Sequence, residues 1–243
     1  MKSAYFTHKS YFTGGMGVVF QILAAENKPQ KILDIPAGSG LLGNRLRELG
    51  HVVVNADINR EKQDFIFADM NDKLPFADGE FDAVSCMEGI EHTLEPMMLI
   101  KELCRVTKAG GKIILSTPNI QNIYSRLKFM CMGYFFLFSP WGSIQYNIDE
   151  KKDRGHISPL TYLQLRYFFQ LRGAKLVDVK CQRWKKKYLI PFLLPFVAVG
   201  WLWSRSEMPR EYKAKPEQRE ILRHLFSPAV LFGRSLILIF QKI

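Results

Sequence analysis

Lys31-Ile32-Leu33-Asp34-Ile35-Pro36-Ala37-Gly38-Ser39-Gly40-Leu41-Leu42-Gly43 decides the fold. A short apolar, β-branched run ends at an acid, and a turn of small residues follows. From Leu41 an apolar period suited to a helix runs to Leu49. The stretch therefore predicts a strand, a tight glycine turn and a helix start, the layout of a nucleotide-binding βα unit. Glycine serves such a turn twice over. It takes positive φ without strain, and without a Cβ it lets a ligand lie against the main chain. Alone, the turn also fits an ordinary βα loop.

The next acid narrows the reading. Val52-Val53-Val54-Asn55-Ala56 predicts a second strand ending at Asp57, 23 residues after Asp34. An acid at that position suits hydrogen bonds to ribose hydroxyls. No GxxxxGK(S/T) phosphate motif occurs, and the ligand expected is an adenosine compound without a pyrophosphate. Here the chain resembles the class I S-adenosylmethionine-dependent methyltransferases. Their first motif, (Asp or Glu)-x-Gly-x-Gly-x-Gly, matches Asp34, Gly38 and Gly40, with Pro36 in place of the first glycine. Proline can hold a fixed turn of its own. The resemblance implies that S-adenosyl-L-methionine is the cofactor and that Asp34, Pro36, Gly38, Gly40, Asp57, Asp69, Met70 and Met87 bind it. In that family the acid after the third strand accepts from the adenine amine and its neighbour packs on the ring. Read on its own, Asp69 is equally a solvated acid at a strand end.

The chain of 243 residues is long enough for one α/β domain with a sizeable core, and 47% hydrophobic content with 13% aromatics argues against disorder. Cys86, Cys104, Cys131 and Cys181 form no CxxC pair, which suits reduced cytosolic thiols, and Met1 to Gly17 holds no apolar run of signal-peptide type. The net charge of +11 is uneven. Residues 1–121 hold 13 Lys and Arg against 15 Asp and Glu, whereas residues 122–243 hold 21 against 8. The back half thus seeks an anionic partner, lipid headgroups or nucleic acid.

Along the chain, residues 1–29 read as an arm over the site followed by a helix, Met16 to Glu26, and residues 30–120 as the cofactor-binding core. Phe65 to Ala68 and Ala83 to Met87 predict strands three and four, and Leu94 to Thr107 an amphipathic helix with Leu99, Leu103 and Val106 on one face. Lys112 to Ser116 predicts strand five. The stretch Phe81 to Asn119, with its Arg-Val-x-Lys-x-Gly-Gly turn, resembles the fourth and fifth motifs of the same family. A helix begins at Ser158-Pro159 with Ser158 as its cap and runs to Leu171, and Ala174 to Cys181 predicts strand six. Residues 235–241 hold the last strand, which closes the sheet in antiparallel fashion in this family. The expected whole is a single α/β domain over 1–243. It is doubly wound and Rossmann-like, with a mostly parallel seven-stranded sheet. Residues 121–157 form a lid-like insertion that includes the aromatic Phe129–Trp141, and residues 183–227 an apolar, basic one before the last strand.

Chemistry concentrates after strand four, in Glu88-Gly89-Ile90-Glu91-His92, with His156 later. The Glu-x-x-Glu-His pattern with a distant His resembles the metal site of terminal-ribose RNA methyltransferases, and its first part resembles ubiquinone-pathway O-methyltransferases. Glu88, Glu91, His92 and His156 make a donor set for Mg²⁺, Mn²⁺ or Zn²⁺ that would lower the pKa of an acceptor hydroxyl. The rival reading makes His92, Glu91 and His156 a metal-free acid–base set. The plainer reading leaves the acids as helix caps and the histidines as loop residues.

Tyr188 to Trp203 gives 16 uncharged residues, short of the ~20 that span a bilayer. With Arg183 and Lys185-Lys186-Lys187 before it, Arg205 after it and tryptophan at both ends, the segment suits the headgroup layer of an anionic membrane, with burial against the core as the alternative. The function expected is S-adenosylmethionine-dependent O-methylation of a lipid-linked sugar, a quinone-like molecule or another lipid-pathway acceptor, by a cytoplasmic protein peripheral on the inner membrane face. RNA ribose 2′-O-methylation and a non-catalytic cofactor-binding subunit are the alternatives. No RNA-binding signature and no NPPY-type tetrapeptide occurs, so nucleic acid is the weaker partner. The sequence leaves the oligomeric state open.

Overall fold

A computed structural model describes residues 11–59, 63–140, 155–184, 188, 190–213 and 215–243. The expected arm over residues 1–10, Trp141 and the rest of 141–154, and Lys185–Lys187 lie outside the described residues.

The strands are β1 (Lys31–Asp34), β2 (Val52–Asp57), β3 (Ile66–Phe67), β4 (Phe81–Met87), β5 (Thr107–Pro118), β6 (Ala174–Cys181) and β7 (Ser235–Lys242). They form one sheet in the order β3-β2-β1-β4-β5-β7-β6. β1 to β5 run parallel, and β7 is antiparallel to both β5 and β6. The expected doubly wound, mostly parallel α/β sheet of seven strands is therefore the observed one. β2 lies on one side of β1 and β4 on the other, so the strand order reverses there. A crevice opens at such a switch point, at the carboxyl ends of the strands, and ligands of open α/β sheets bind in it.

Alternation along the central strands makes two cores. Leu33, Ile113, Leu115, Leu236, Leu238 and Phe240 face one side, and Ile32, Ile114, Ile237 and Ile239 the other, all at most 4% exposed. The first side is covered by α3 (Pro96–Val106) and α5 (Tyr162–Leu171), through Leu99, Leu103, Val106, Leu165 and Phe169. Phe169 stacks on Phe240 with centroids 3.9 Å apart. The second side is covered by α1 (Gly14–Ala24) and α2 (Leu41–Glu48), through Val19, Leu23, Leu42 and Leu46. Truncating any of these buried leucines to Ala costs about 2–5 kcal/mol.

Four expectations shift. β5 starts at Thr107 instead of Lys112, because Thr107 already pairs with Phe81 of β4, so most of the expected Arg-Val-x-Lys-x-Gly-Gly turn lies within the strand. α1 starts at Gly14, because the Thr13 hydroxyl accepts from Met16 N and caps it. β3 has only two residues, both exposed, at the sheet edge. α5 starts at Tyr162 instead of at Ser158-Pro159. Thr161 and Gln164 form a reciprocal capping box there, while the Ser158 hydroxyl donates to Thr93 O at 2.6 Å.

The stretch expected as a lid opens with α4 (Ile123–Met132), capped by Asn122. Between β6 and β7 lie α6 (Ile190–Glu207), α7 (Arg210–Lys213), α8 (Pro216–Leu225) and α9 (Pro228–Phe232). α8 is fastened to α5 by a buried polar network. Arg166 donates to Glu220 at 3.0 Å and to the Tyr162 hydroxyl at 3.2 Å, and that hydroxyl lies 2.8 Å from His224 Nδ1. Among the described residues no helix is long and apolar enough to cross a membrane.

Candidate active site

Two loops face the switch point, one after β1 and one after β4. In the first, Gly38 and Gly40 take φ of 56° and 76°, and Gly40 caps α2. A Cβ on Gly40 would meet the Phe65 ring at 2.9 Å. Gly38 N donates to Asp57 Oδ2 at 2.8 Å, while Asn59 N donates to Oδ1 at 2.9 Å. Asp57 thus ties the end of β2 to the turn, and its carboxylate has lone pairs left for further donors. Asp34 ends β1 with 3% of its surface exposed. Burial pushes its carboxyl up to about 7, and the neighbouring Asp57 charge adds to the effect.

Pro36 fits because its opposite number is a glycine. A Cβ on Gly89, in the loop after β4, would stand 2.5 Å from Pro36 Cδ and 3.2 Å from Met70 Sδ. The loops after β1, β3 and β4 thus close on one another through Pro36, Met70 and Gly89. Asp69 accepts from the main chain and side chain of Asn71, at 2.8 and 3.0 Å. The Met87 methyl lies under the start of α1, 3.4 Å from where a Gly15 Cβ would stand.

After β4 the chain makes a sharp change. Glu88 takes a φ of 49°, uncommon for a residue with a side chain, and its carboxylate accepts from Ser116 Oγ at 2.9 Å. One 3₁₀ turn, Ile90–His92, then carries Glu91 inward, fully buried, where Thr117 Oγ1 donates to it at 3.2 Å. Ile157 N and Ser158 N both donate to Glu91 O, at 2.9 and 3.0 Å. These two bonds bring His156 up against His92, with ring centroids 4.8 Å apart. His156 Nδ1 lies 2.8 Å from Leu137 O. A carbonyl only accepts, so Nδ1 carries the proton and the lone pair is on Nε2.

Ligand atoms of Glu91, His92 and His156 all lie within 4.8 Å of one another. The structure thus brings three of the four expected donors together. Glu88 stands apart from them, turned back on Ser116. Sequence reasoning missed Thr117, Ser158 and the Leu137 carbonyl as the groups that set this cluster. A hydroxyl at the carboxyl end of β5, next to the end of β4, was a usable signal for Thr117. A main-chain carbonyl leaves none.

Other motif residues are structural. Arg105, in the Arg-Val-x-Lys-x-Gly-Gly turn, donates to Glu102, Asp78 and the carbonyls of Leu74 and Phe76. Asn119 Nδ2 donates to Val230 O and Gly233 O at 2.8 and 3.0 Å and so anchors α9. Cys86 is buried in β4, and burial pushes its thiol up, away from nucleophilic use.

The methyltransferase domain family model matches residues 17–179, which is more than half of the chain. The chain belongs to the methyltransferase domain family. A ubiquinone biosynthesis O-methyltransferase of Xanthomonas oryzae pv. oryzae is 30% identical over 130 residues, 48% of this chain and 54% of that protein. A demethylmenaquinone methyltransferase of Paenarthrobacter aurescens is 33% identical over 112 residues, 40% of this chain and 44% of that protein. The chain spans about half the length of the curated relatives it matches. Among solved structures, a SAM-dependent methyltransferase from Archaeoglobus fulgidus aligns over 94% of this chain and 93% of its own, with a TM-score of 0.58 at 17% identity. A methyltransferase described as putative, from Bacillus halodurans, aligns over 93% and 97%, with a TM-score of 0.53 at 18% identity. These last two likenesses are of fold.

Family and fold identify S-adenosylmethionine as the cofactor, and the residues present suit it. The buried Asp34 is a partner for a cation, and Asp57 has acceptor capacity for ribose hydroxyls. In the glycine turn Gly38 and Ser39 are half-exposed, beside Asp57.

Proposed function

We propose that this chain transfers a methyl group from S-adenosylmethionine to an oxygen of a small lipid-like acceptor, quinone-like or a lipid-linked sugar, as a cytoplasmic protein at the inner membrane face. The observation that carries the reading is the Glu91–His92–His156 cluster, in which Glu91 and His92 come from the loop after β4, beside the Asp34–Gly40 turn at the switch point, and His156 from the segment before α5. The cofactor's sulfonium supplies the methyl group when bound, so the protein's own task is alignment and proton removal. Asp34, Pro36, Gly38, Gly40, Asp57, Asp69, Met70 and Met87 hold the cofactor in this reading. His156, with its lone pair on Nε2, or His92 beside it takes the acceptor's proton. The buried Glu91 carboxylate stabilises the imidazolium that results.

A second reading of the same cluster is favoured by its spacing. Three ligand atoms within 4.8 Å of one another can hold Mg²⁺, Mn²⁺ or Zn²⁺, with Glu91, His92 and His156 as ligands. The Nδ1–H bond from His156 to a carbonyl is the outer-shell support that metal-ligating histidines have.

Two observations support a lipid-like acceptor. The matched relatives are a ubiquinone biosynthesis O-methyltransferase and a demethylmenaquinone methyltransferase. Beside the cluster, the Phe138 ring lies 5.4 Å from His156, giving the site an aromatic wall.

The test is methyl transfer to a catechol probe beside calorimetric titration with S-adenosylhomocysteine, on the wild type and on His92→Gln and His156→Gln. Transfer should fall by roughly 10²–10⁴-fold in at least one variant, with S-adenosylhomocysteine affinity unchanged. Chelator treatment reversed by Mg²⁺, Mn²⁺ or Zn²⁺ supports the metal reading, and indifference to chelator supports the free base. Wild-type rates in both variants would remove the cluster from the reaction. Failure to bind S-adenosylhomocysteine would overturn the whole proposal.

A further inference from the structure

α6 is apolar and, among the described residues, at most half-covered. Its 18 residues include no buried one. Ile190, Leu193, Val197, Gly200 and Ser204, at spacings of three and four, are half-covered and mark the side turned to the protein. At that side a Cβ on Gly200 would touch the Phe226 ring, just past α8. A stripe about a third of a turn round the helix from it is Phe192, Phe196, Val199 and Trp203, which are 75%, 76%, 61% and 63% exposed. Leu194 and Leu202, on the flanks, are also more than half exposed. A helix that is hydrophobic nearly all round belongs in a core or against lipid, and this one is in neither.

Charge brackets this surface. From Arg183 to Arg219 the chain carries nine Lys and Arg against three Asp and Glu, and none of the twelve falls between Tyr188 and Ser204. Trp203 Nε1 donates to Glu207, and the Arg205 guanidinium lies 5.1 Å from the Trp201 ring centroid. The carboxyl-terminal end therefore combines aromatic bodies with polar tips, which suits a water–lipid boundary. The helix is also tied to the catalytic core. α8 next to it is fastened to α5 by the Arg166–Glu220 and Tyr162–His224 contacts.

We propose that α6 lies flat in the headgroup layer of an anionic bilayer, with Phe192, Phe196, Val199 and Trp203 inserted and the flanking lysines and arginines on the lipid phosphates. This deepens, and rests on, the lipid-acceptor reading above, since it names the surface from which the acceptor is taken. Two other occupants fit less well. A second copy of this chain would bring two sets of basic residues together. A nucleic acid would engage the charges and leave the phenylalanine stripe in water.

The experiment is flotation of the full chain with phosphatidylcholine vesicles, with and without phosphatidylglycerol. It compares the wild type with a Phe192→Ser/Phe196→Ser/Trp203→Ser variant and measures S-adenosylhomocysteine binding on the same samples. The wild type should float with the anionic vesicles and less so in high salt, and the variant's partitioning should fall by at least about tenfold. Unchanged S-adenosylhomocysteine affinity in the variant shows that its fold is intact. The proposal is overturned if the wild type stays unbound with phosphatidylglycerol present, or if the variant floats equally well. It is also overturned if sedimentation shows a dimer that the variant loses without any vesicle binding, or if only RNA shifts the wild type. Cofactor binding without flotation sinks the docking helix alone, whereas absent cofactor binding sinks the methyltransferase reading.

Discussion

Asp34→Asn isolates what it costs to keep a carboxyl inside the cofactor turn. Asp34 is buried at the end of β1, and burial lifts its pKa from 3.8 to about 7. The folded protein therefore holds this proton up to about pH 7, while the unfolded chain releases it near the ordinary carboxylate value. The sign is the reverse of a salt-bridged acid. The group favours the folded state in acid, and that contribution is lost as pH rises between the two values. At about 1.4 kcal/mol per pH unit, the wild type gives up about 2 kcal/mol between about pH 5.5 and pH 7 through this one residue. An asparagine has no proton to lose. The stability of D34N relative to wild type should therefore rise by about 2 kcal/mol across that interval and then level off. Urea denaturation of the cofactor-free protein at a series of pH values measures it. Calorimetry supplies a second reading, because the ammonium group that S-adenosylhomocysteine shares with the cofactor favours the ionised acid. Near pH 6 the wild type should release close to one proton on binding S-adenosylhomocysteine, D34N should release none, and D34N should bind more weakly. A stability difference that stays flat from pH 5.5 to pH 7 would refute the reasoning, since Asp34 would then already be ionised in the folded protein.

Gly89→Ala places a methyl group 2.5 Å from Pro36 Cδ and should weaken S-adenosylhomocysteine binding by roughly tenfold or more through overpacking. Adding Pro36→Gly should recover part of that affinity, and strictly additive losses in the double variant would show that the two residues do not share the space. Thr117→Val removes the hydroxyl that donates to the buried Glu91 carboxylate, and should cost about 1–3 kcal/mol of stability by denaturation. The same variant should slow methyl transfer while leaving cofactor affinity alone, and an unchanged rate would make the Thr117 contact merely structural. Burial holds His224 below its ordinary value of 6.5, so the neutral form belongs to the folded state and stability should fall as pH drops below that value. His224→Gln should flatten this acid limb, and hydrogen exchange should place the acid-labile opening in α8; a limb of unchanged depth would locate it elsewhere.

The parts of the molecule legible in the sequence are those whose cause is local. β1 ends where the apolar pair Ile32-Leu33 meets an acid and small residues, and the glycines with positive φ sit where a left-handed backbone was needed. α3 was legible because Leu99, Leu103 and Val106 repeat at helical spacing, and all three are buried. The start of α5 was misplaced because two cap signals stand three residues apart. Ser158-Pro159 looks as good as Thr161, and only the reciprocal bond with Gln164 separates them. Ser158 was already committed to Thr93 O, a residue 65 positions away.

The site shows the same divide more sharply. Glu88 and Glu91 have the same chemistry, so their order in the chain gives no ground for separating them. A positive φ turns the first back onto Ser116, and a single 3₁₀ turn carries the second inward. His156 reaches His92 across 64 residues because two main-chain amides, those of Ile157 and Ser158, donate to the Glu91 carbonyl. Neither bond has a side-chain signature. The placing of the three side chains proposed to act therefore depends on backbone geometry around Glu91. A proline at position 157 should test this, since it deletes one donor while leaving Glu91, His92 and His156 in place. If the cluster is assembled as described, the substitution should lower methyl transfer while S-adenosylhomocysteine, which in the proposed reading rests on the loops after β1, β2 and β3 and on Met87, binds with its normal affinity.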